Sequence, residues 1–151
     1  MKKLITLFTA LLLMLSTSLT ACENDNPEKE IKDMKLKVTV GDVVLTATLE
    51  DNPTSRDFIS LLPLTVKLDD YASSEKIFYP ERKLKNQKGS INVSAGDITY
   101  YVPWGNIAIF YKDFGRSTDL IKIGRFEGNI DVLKTAGSLD NVKFELLNEQ
   151  K

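Results

Sequence analysis

The chain has 151 residues, the length expected of one domain, and its 20 basic and 21 acidic side chains leave a net charge of −1. It has no basic stripe, which argues against nucleic acid as a partner. It also contains no histidine, which excludes Ser-His-Asp and Cys-His catalysis and histidine-based zinc sites. No glycine-rich phosphate loop is present, so we predict no catalytic residue, no cofactor and no metal.

The first residues are typical of the leader of an exported bacterial protein. Two lysines precede an apolar run over residues 4–15, and roughly 12 residues are too few to span a bilayer, which needs about 20. Residues 19–22 then read Leu-Thr-Ala-Cys, the pattern of a lipobox. We therefore predict a lipoprotein signal peptide over residues 1–21 and acylation of Cys22, the single cysteine of the chain. The alternative is an ordinary secreted protein in which this cysteine occurs by chance.

A mostly polar segment over residues 22–33 follows, and we predict that it is a flexible tether between the lipid and the folded domain. One acyl chain alone holds a protein only marginally, whereas two or three hold it firmly on a membrane surface. No later segment has about 18 consecutive apolar residues, so no membrane-spanning helix is predicted. The expected location is the cell envelope, with the domain lipid-anchored to a membrane at the periplasmic face or the outer surface.

The predicted folded domain covers residues 34–148 and consists mainly of short strands. Residues 35–40 and 43–49 flank a Gly-Asp turn and predict a hairpin with one buried face. The polar residues 82–90 predict a loop. Further strands are predicted at 64–68, at 76–79, on both sides of a Pro-Trp-Gly-Asn turn within 96–111, at 120–126 and at 142–147.

Two short helices are predicted between these strands. Asn52 and Pro53 are residue types preferred at the N-cap and the first position of a helix, and Pro63 would end it. Asn129 is the predicted N-cap of a second helix that ends before Gly137. Many short strands with two short helices predict a mainly β fold, a closed or nearly closed barrel whose ends the helices cover.

Several motifs, in this order, resemble cyclophilins. Residues 52–58, Asn-Pro-Thr-Ser-Arg-Asp-Phe, resemble the first cyclophilin helix, and residues 121–133 resemble the late strand, turn and second helix. The blocks Gly-Asp-Ile-Thr-Tyr-Tyr at 96–101 and Pro-Trp-Gly-Asn-Ile-Ala-Ile-Phe-Tyr at 103–111 are similar to the bacterial cyclophilin-like domain proteins themselves. The resemblance covers most of the predicted domain and implies an eight-stranded antiparallel barrel capped by two helices.

Cyclophilin proline isomerases use an arginine in a Phe-His-Arg segment after the first helix. The corresponding region here is 77–82, Ile-Phe-Tyr-Pro-Glu-Arg. The resemblance would assign the part of that arginine to Arg82, which follows Pro80 and so lies beyond the predicted end of the strand. A fold does not carry its function with it, so the resemblance does not transfer the activity.

Aromatic residues cluster in sequence around the Pro-Trp-Gly-Asn turn. Aromatic walls with a few polar groups are typical of ligand or peptide clefts. Because neighbouring residues of a strand point to opposite faces, one of Tyr100 and Tyr101 is expected to face inward and the other outward. Core packing and turn stabilisation are the alternative for this cluster. The predicted cleft consists of Tyr79, Arg82, Tyr100, Trp104, Asn106 and Phe110.

Three functions are compatible with these features. The first is a non-catalytic binding module for a peptide, a protein or a small-molecule ligand, held at the envelope by its lipid. The sequence favours it, because an aromatic cluster occurs without recognisable catalytic groups. The second is an envelope peptidyl-prolyl cis-trans isomerase, which would favour the twisted amide through an arginine hydrogen bond. The third is a structural role in a larger envelope complex.

The lipidation of Cys22 is testable on the full chain. We expect mass spectrometry of the membrane-extracted protein to show loss of residues 1–21 and a mass increase from acyl chains on the new N-terminal cysteine. An unmodified thiol or an intact leader would contradict the predicted envelope location.

Overall fold

A computed structural model describes residues 34–87 and 89–147. The predicted signal peptide, Cys22 and the predicted tether therefore lie outside the described residues. In chain order the elements are β1 (Lys35–Val40), β2 (Val43–Leu49), α1 (Pro53–Ile59), β3 (Leu64–Tyr71), β4 (Glu75–Phe78), β5 (Ile91–Val93), β6 (Asp97–Tyr101), β7 (Asn106–Phe110), β8 (Gly115–Ser117), β9 (Leu120–Glu127), a 3₁₀ helix (Asp131–Lys134) and β10 (Leu139–Leu147).

Eight of these strands close into an antiparallel barrel in the order β1-β10-β3-β4-β7-β6-β9-β2. The predicted fold class, a mainly β protein with an eight-stranded antiparallel barrel, is thus confirmed. The strands β5 and β8 pair with each other as a separate ribbon. The sequence did not predict this ribbon, because strands of three residues are too short to show an alternating pattern.

The interior of the barrel is filled by side chains. Val38, Tyr100, Ile107 and Phe144 come from four different strands and are completely buried there. Phe58 of α1 joins them, with its ring edge-on to that of Phe144 at a centroid distance of 6.4 Å. An eight-stranded barrel packed in this way has its interior occupied, so a ligand site is to be sought on the outer face.

The helix α1 begins as predicted. The side chain of Asn52 accepts a hydrogen bond from the backbone N–H of Ser55 at 2.9 Å, and Pro53 is the first helical residue. This bond satisfies one of the backbone donors left free at a helix start, which is why the chain turns into a helix here. The helix ends at Ile59, earlier than the predicted end at Pro63.

The second predicted helix is shorter than expected. Only Asp131–Lys134 form helical structure, and they form a 3₁₀ helix. The side chain of Asn129 accepts a hydrogen bond from the backbone N–H of Asp131 at 2.6 Å, which makes a local turn rather than the cap of a longer helix. One α-helix and one 3₁₀ helix therefore stand in place of two capping helices. Among the described residues, no helix is long and apolar enough to cross a membrane.

A tight turn, which the sequence analysis did not predict, joins β3 to β4. Ala72 and Ser73 both have a φ of +50°, the left-handed conformation of turns that close hairpins. The residues usually found in such turns are Asn and Gly, and neither occurs at these positions. The effect of the turn is to extend both strands, so that Tyr71 and Glu75 pair across the hairpin. The strand β10 also begins earlier than predicted, at Leu139.

Gly124 provides a test of how closely the barrel strands pack. It pairs with Leu49 on β2, and a Cβ atom at this position would lie 2.6 Å from the carbonyl oxygen of Thr48. We expect Gly124→Ala to lower the free energy of unfolding by roughly 1–3 kcal/mol, measured by chemical denaturation, because the two strands must separate. Gly89→Ala is the control, since its added Cβ would meet no atom within 4 Å. Equal stability of the two variants would contradict this register.

Candidate functional site

The candidate site lies on the outer face of the barrel, over β4 and β7. Alternation along β4 points Lys76 and Phe78 inward and leaves Glu75 and Ile77 on the outer side. On β7, Ile107 and Ile109 belong to the barrel core. Residues 106, 108 and 110 of the same strand face the opposite way. Two neighbouring strands therefore present their outward residues to one surface.

The register of the strands places these outward residues in rows. Glu75 pairs with Tyr71 on one side and with Phe110 on the other, which makes the first row across three strands. In the next row Ile77 pairs with Ala108. Asn106 and Tyr101 pair in a third row, where β7 leaves the turn.

A cleft of about 300 Å³ lies over these rows. Ala108 has the smallest side chain on its floor and is flanked by larger ones, so the surface is depressed at the centre. Val93 of β5 and Leu120 of β9 pack with Ala108 and Phe110 in an apolar cluster separate from the barrel core. The residues that line the cleft are Tyr71, Glu75, Ile77, Tyr101, Trp104, Asn106, Ala108, Phe110, Phe114, Ser117 and Leu120.

Aromatic rings form the walls of the cleft. The Trp104 ring meets the Tyr71 ring at a centroid distance of 5.7 Å and an angle of 88°. It meets the Tyr101 ring at 5.4 Å and 79°, so both contacts are edge-to-face. The ring centroid of Phe114 lies 5.3 Å from that of Phe110, and Phe114 is 59% exposed. These rings present a concave aromatic surface to solvent.

The turn between β6 and β7 holds Trp104 in this position. The backbone N–H of Gly105 donates a hydrogen bond to the carbonyl oxygen of Tyr101 at 2.8 Å. Gly105 has a φ of +77°, and a Cβ atom there would lie 3.1 Å from the Lys83 side chain. Glycine is therefore the residue that both the conformation and the space favour next to the tryptophan.

Asn106 places a buried polar atom in the cleft. Its Nδ2 donates a hydrogen bond to the carbonyl oxygen of Ile107 at 3.3 Å. Its Oδ1 is buried and has no hydrogen-bond partner within the described part of the chain. A buried acceptor without a partner costs about 1–3 kcal/mol, so a donor from outside the chain would be bound favourably here.

Among the residues that the structure describes, Glu75 is the one charged residue that lines the cleft. Within residues 34–87 and 89–147, no hydrogen bond or ion pair joins its carboxyl to another side chain. Burial raises the pKa of Glu75 to about 7, because a desolvated carboxylate lacks compensating contacts. The group therefore changes its charge near neutral pH.

Three of the six residues predicted from sequence come together at the cleft, namely Trp104, Asn106 and Phe110. Tyr79 is 58% exposed and does not line the cleft. Tyr100 is completely buried in the barrel core, where its hydroxyl accepts a hydrogen bond from the backbone N–H of Leu84 at 3.2 Å. The inward direction of Tyr100 and the outward direction of Tyr101 follow the alternation expected from the sequence.

Arg82 is also placed away from the cleft. Its guanidinium donates two hydrogen bonds to the Asp57 carboxylate, at 2.7 and 2.9 Å, and so joins the loop after β4 to α1. This hydrogen-bonded pair, followed by the Lys85 backbone N–H, holds the pKa of Asp57 below its usual value. The geometry gives Arg82 a structural contact with the helix.

The sequence reasoning did not select Glu75, Tyr71, Ala108 or Phe114 for the site. Tyr71 and Glu75 flank a turn without the usual turn residues, and their strands were predicted to end before they reach them. The spacing Tyr-Ala-Ser-Ser-Glu between two alternating segments was the available signal for a hairpin. In the described ranges, no group of three or more histidine, cysteine, aspartate or glutamate side chains comes together in a way that could hold a metal ion.

Comparisons with known proteins agree with this architecture. The model of a family described as the Cyclophilin-like family matches residues 38–145. The solution structure of the hypothetical protein AF2241 from Archaeoglobus fulgidus is similar, with a TM-score of 0.61 and 18% sequence identity. That likeness covers 76% of this chain and 95% of the archaeal chain, and at this identity it shows the fold alone. A search of curated proteins found no significant match.

The state of Glu75 predicts a pH-dependent stability difference. Its pKa is higher in the folded than in the unfolded chain, so the folded domain loses stability as pH rises from about 4.5 to about 7. Glu75→Gln removes this loss. We expect the variant to match the parent near pH 4 and to exceed it by roughly 1–2 kcal/mol near pH 8, after allowance for solvent screening.

Chemical denaturation at a series of pH values measures this difference. Glu81→Gln, which removes the charge of an exposed glutamate outside the cleft, is the matched control. The carboxyl is not desolvated if the stability difference between Glu75→Gln and the parent stays constant with pH. The same conclusion follows if this difference equals that of the Glu81→Gln control.

Proposed function

The chain belongs to the cyclophilin-like family, and from this premise we propose that it is a non-catalytic binding module that holds a peptide or small ligand in the cleft over β4 and β7. We further propose that a lipid on Cys22 displays this module at the cell envelope. The fold of the family does not fix an activity, so the proposal rests on the chemistry of the cleft.

The buried, unpartnered Oδ1 of Asn106 is the observation that carries the proposal. Nearly all buried polar atoms of native proteins have a hydrogen-bond partner, and an exception on a residue that lines a cleft is explained when a ligand or an ordered water supplies one. The barrel itself has no need of an asparagine here, since an apolar side chain would fill this outward position without the cost of an unpaired acceptor.

The exposed aromatic surface supports the same proposal. Tyr71, Trp104 and Phe114 are 41%, 50% and 59% exposed, and all three border the cleft. Single exposed apolar side chains are ordinary, whereas a contiguous group of large ones marks an interaction site. The cleft volume of about 300 Å³ is at the small end of the range for ligand sites, so it suits a small molecule or one or two residues of a peptide.

The contacts of Arg82 disfavour the isomerase alternative. An isomerase of the kind that the resemblance implies needs a hydrogen-bond donor directed at the proline nitrogen. Arg82 already donates to Asp57 with two nitrogens, and no lysine or arginine of the described ranges lines the cleft. The donors that line the cleft are hydroxyl, indole and amide groups, on Tyr71, Tyr101, Ser117, Trp104 and Asn106, and none of them is a guanidinium.

Filling the cleft tests the binding proposal. We expect a fragment and tripeptide screen, followed by NMR of the protein, to find ligands whose affinity falls at least about tenfold in Ala108→Leu, because the larger side chain occupies the floor. Trp104→Ala should have a similar effect through loss of a wall. Tyr79→Ala is the matched control, since it removes an exposed aromatic ring outside the cleft and should leave affinity unchanged.

Two results would contradict the proposal. The first is that ligands from the screen perturb residues elsewhere and bind Ala108→Leu as well as the parent. The second is a proline-peptide isomerisation rate clearly above background that disappears in Ala108→Leu, which would assign the cleft to the enzyme instead. Loss of that rate in Arg82→Ala alone would assign the isomerase to the surface beside Asp57.

A further inference from the structure

Resting on the binding role proposed above, we propose that the ligand of the cleft carries an organic ammonium group, held between the carboxylate of Glu75 and the rings of Tyr71 and Phe110. Glu75 pairs with Tyr71 on β3 and with Phe110 on β7. Side chains opposite each other in antiparallel strands have Cβ atoms about 5 Å apart, so the carboxyl stands between two aromatic rings.

Among the described residues, Glu75 differs from the other buried or partly buried carboxylates in having no cation beside it. Over residues 34–87 and 89–147, every other carboxylate that is buried or partly buried forms an ion pair with a lysine or an arginine. These pairs are Asp57 with Arg82, Asp70 with Lys76, Asp97 with Arg125 and Glu145 with Lys143. A cation from outside the chain would give Glu75 an ion pair like those that lysines and arginines of the chain form with the other four carboxylates.

Because Glu75 is partly buried, its ionised carboxylate is unfavourable without a cation beside it. The pKa of Glu75 is raised to about 7 by desolvation, so at neutral pH the carboxylate is held in a place that disfavours its charge. A bound ammonium group relieves that cost through a close ion pair of low solvent exposure. Binding and ionisation of Glu75 therefore favour each other.

The aromatic walls select the kind of cation. The face of an aromatic ring attracts a cation within about 6 Å, and this attraction grows when water is removed. Metal ions require several oxygen, nitrogen or sulfur ligands close together, whereas the one carboxylate of the cleft is paired on both sides with aromatic residues. An alkylammonium group, which is less strongly hydrated and carries apolar substituents, fits both the rings and the carboxylate.

Asn106 gives the ligand a second point of attachment. It lies four residues along β7 from Phe110, which is roughly 13 Å at about 3.3 Å per residue. Its Oδ1 is an acceptor, as is the ionised carboxylate of Glu75. Two residues that line the cleft in different rows thus carry acceptors, and a ligand with an ammonium group at one end and an N–H or O–H donor towards the other is complementary to them.

Fluorescence of Trp104, the single tryptophan of the chain, reports on ligands in the cleft. The test uses the full chain in detergent micelles and two matched pairs of probes at about pH 8. The first pair is choline and its uncharged isostere 3,3-dimethylbutan-1-ol. The second is acetyl-Gly-Lys-Gly-amide and the same peptide with norleucine. The pairs separate a free ammonium ligand from a peptide side chain.

We expect the cationic member of at least one pair to bind at least about tenfold more tightly than its neutral partner, a difference of about 1.4 kcal/mol. The preference should shrink near pH 5.5 and disappear in Glu75→Gln. Other ionisable groups around Glu75 are the phenols of Tyr71, Tyr101 and Tyr111, and Lys76 with its partner Asp70 on the inner side. Such phenols and ammonium groups do not ordinarily change charge between pH 5.5 and 8, and the ion pair holds the pKa of Asp70 low.

Each contrary result has a definite meaning. Equal affinity for the two members of both pairs, or a preference that Glu75→Gln leaves intact, would overturn the ammonium proposal. If the probes bind with equal affinity and Ala108→Leu abolishes their binding, the proposed binding function is retained, with a ligand whose charge does not matter. Absence of saturable binding by either cation up to about 10 mM would also overturn the ammonium proposal. The fragment screen would then decide the binding role separately.

Discussion

The alternation of side chains in a closed barrel is the constraint on which the rest of this structure depends. Inward residues such as Tyr100 and Ile107 fill the interior and leave the outer face for ligands. An outward alanine would ordinarily meet water, yet Ala108 is only 1% exposed because residues of β5 and β9 pack over this side. The cleft lies between this second layer and the turn that carries Trp104.

Local sequence signals were enough to predict much of the fold. The bounds of β1 and β2 agree with the prediction, because period-2 alternation and a Gly-Asp turn act over neighbouring residues. The start of α1 agrees for the same reason, through the cap at Asn52. The β5–β8 ribbon was not predictable in this way, because it depends on pairing between residues such as Ile91 and Ser117, which are distant in sequence.

The candidate site was predictable only in part. Trp104, Asn106 and Phe110 were selected because they are close in sequence around one turn. Arg82 was grouped with them because the resemblance to cyclophilins assigns it the part of the isomerase arginine. Its actual partner, 25 residues earlier at Asp57, gives no signal in the sequence. Glu75 was not selected, because its properties arise from burial and from the absence of a nearby cation, and both depend on the assembled barrel.

The ammonium ligand proposed for the cleft requires that Glu75 is a desolvated carboxyl without a counter-charge. The most direct measurement is a titration of its side-chain carboxyl carbon by ¹³C NMR, first in the free protein and then with a saturating ligand from the cleft. The account predicts an apparent pKa of about 7 in the free protein, which falls when an ammonium ligand binds. An ordinary glutamate pKa near 4.3 in the free protein, unchanged by ligand, would contradict it.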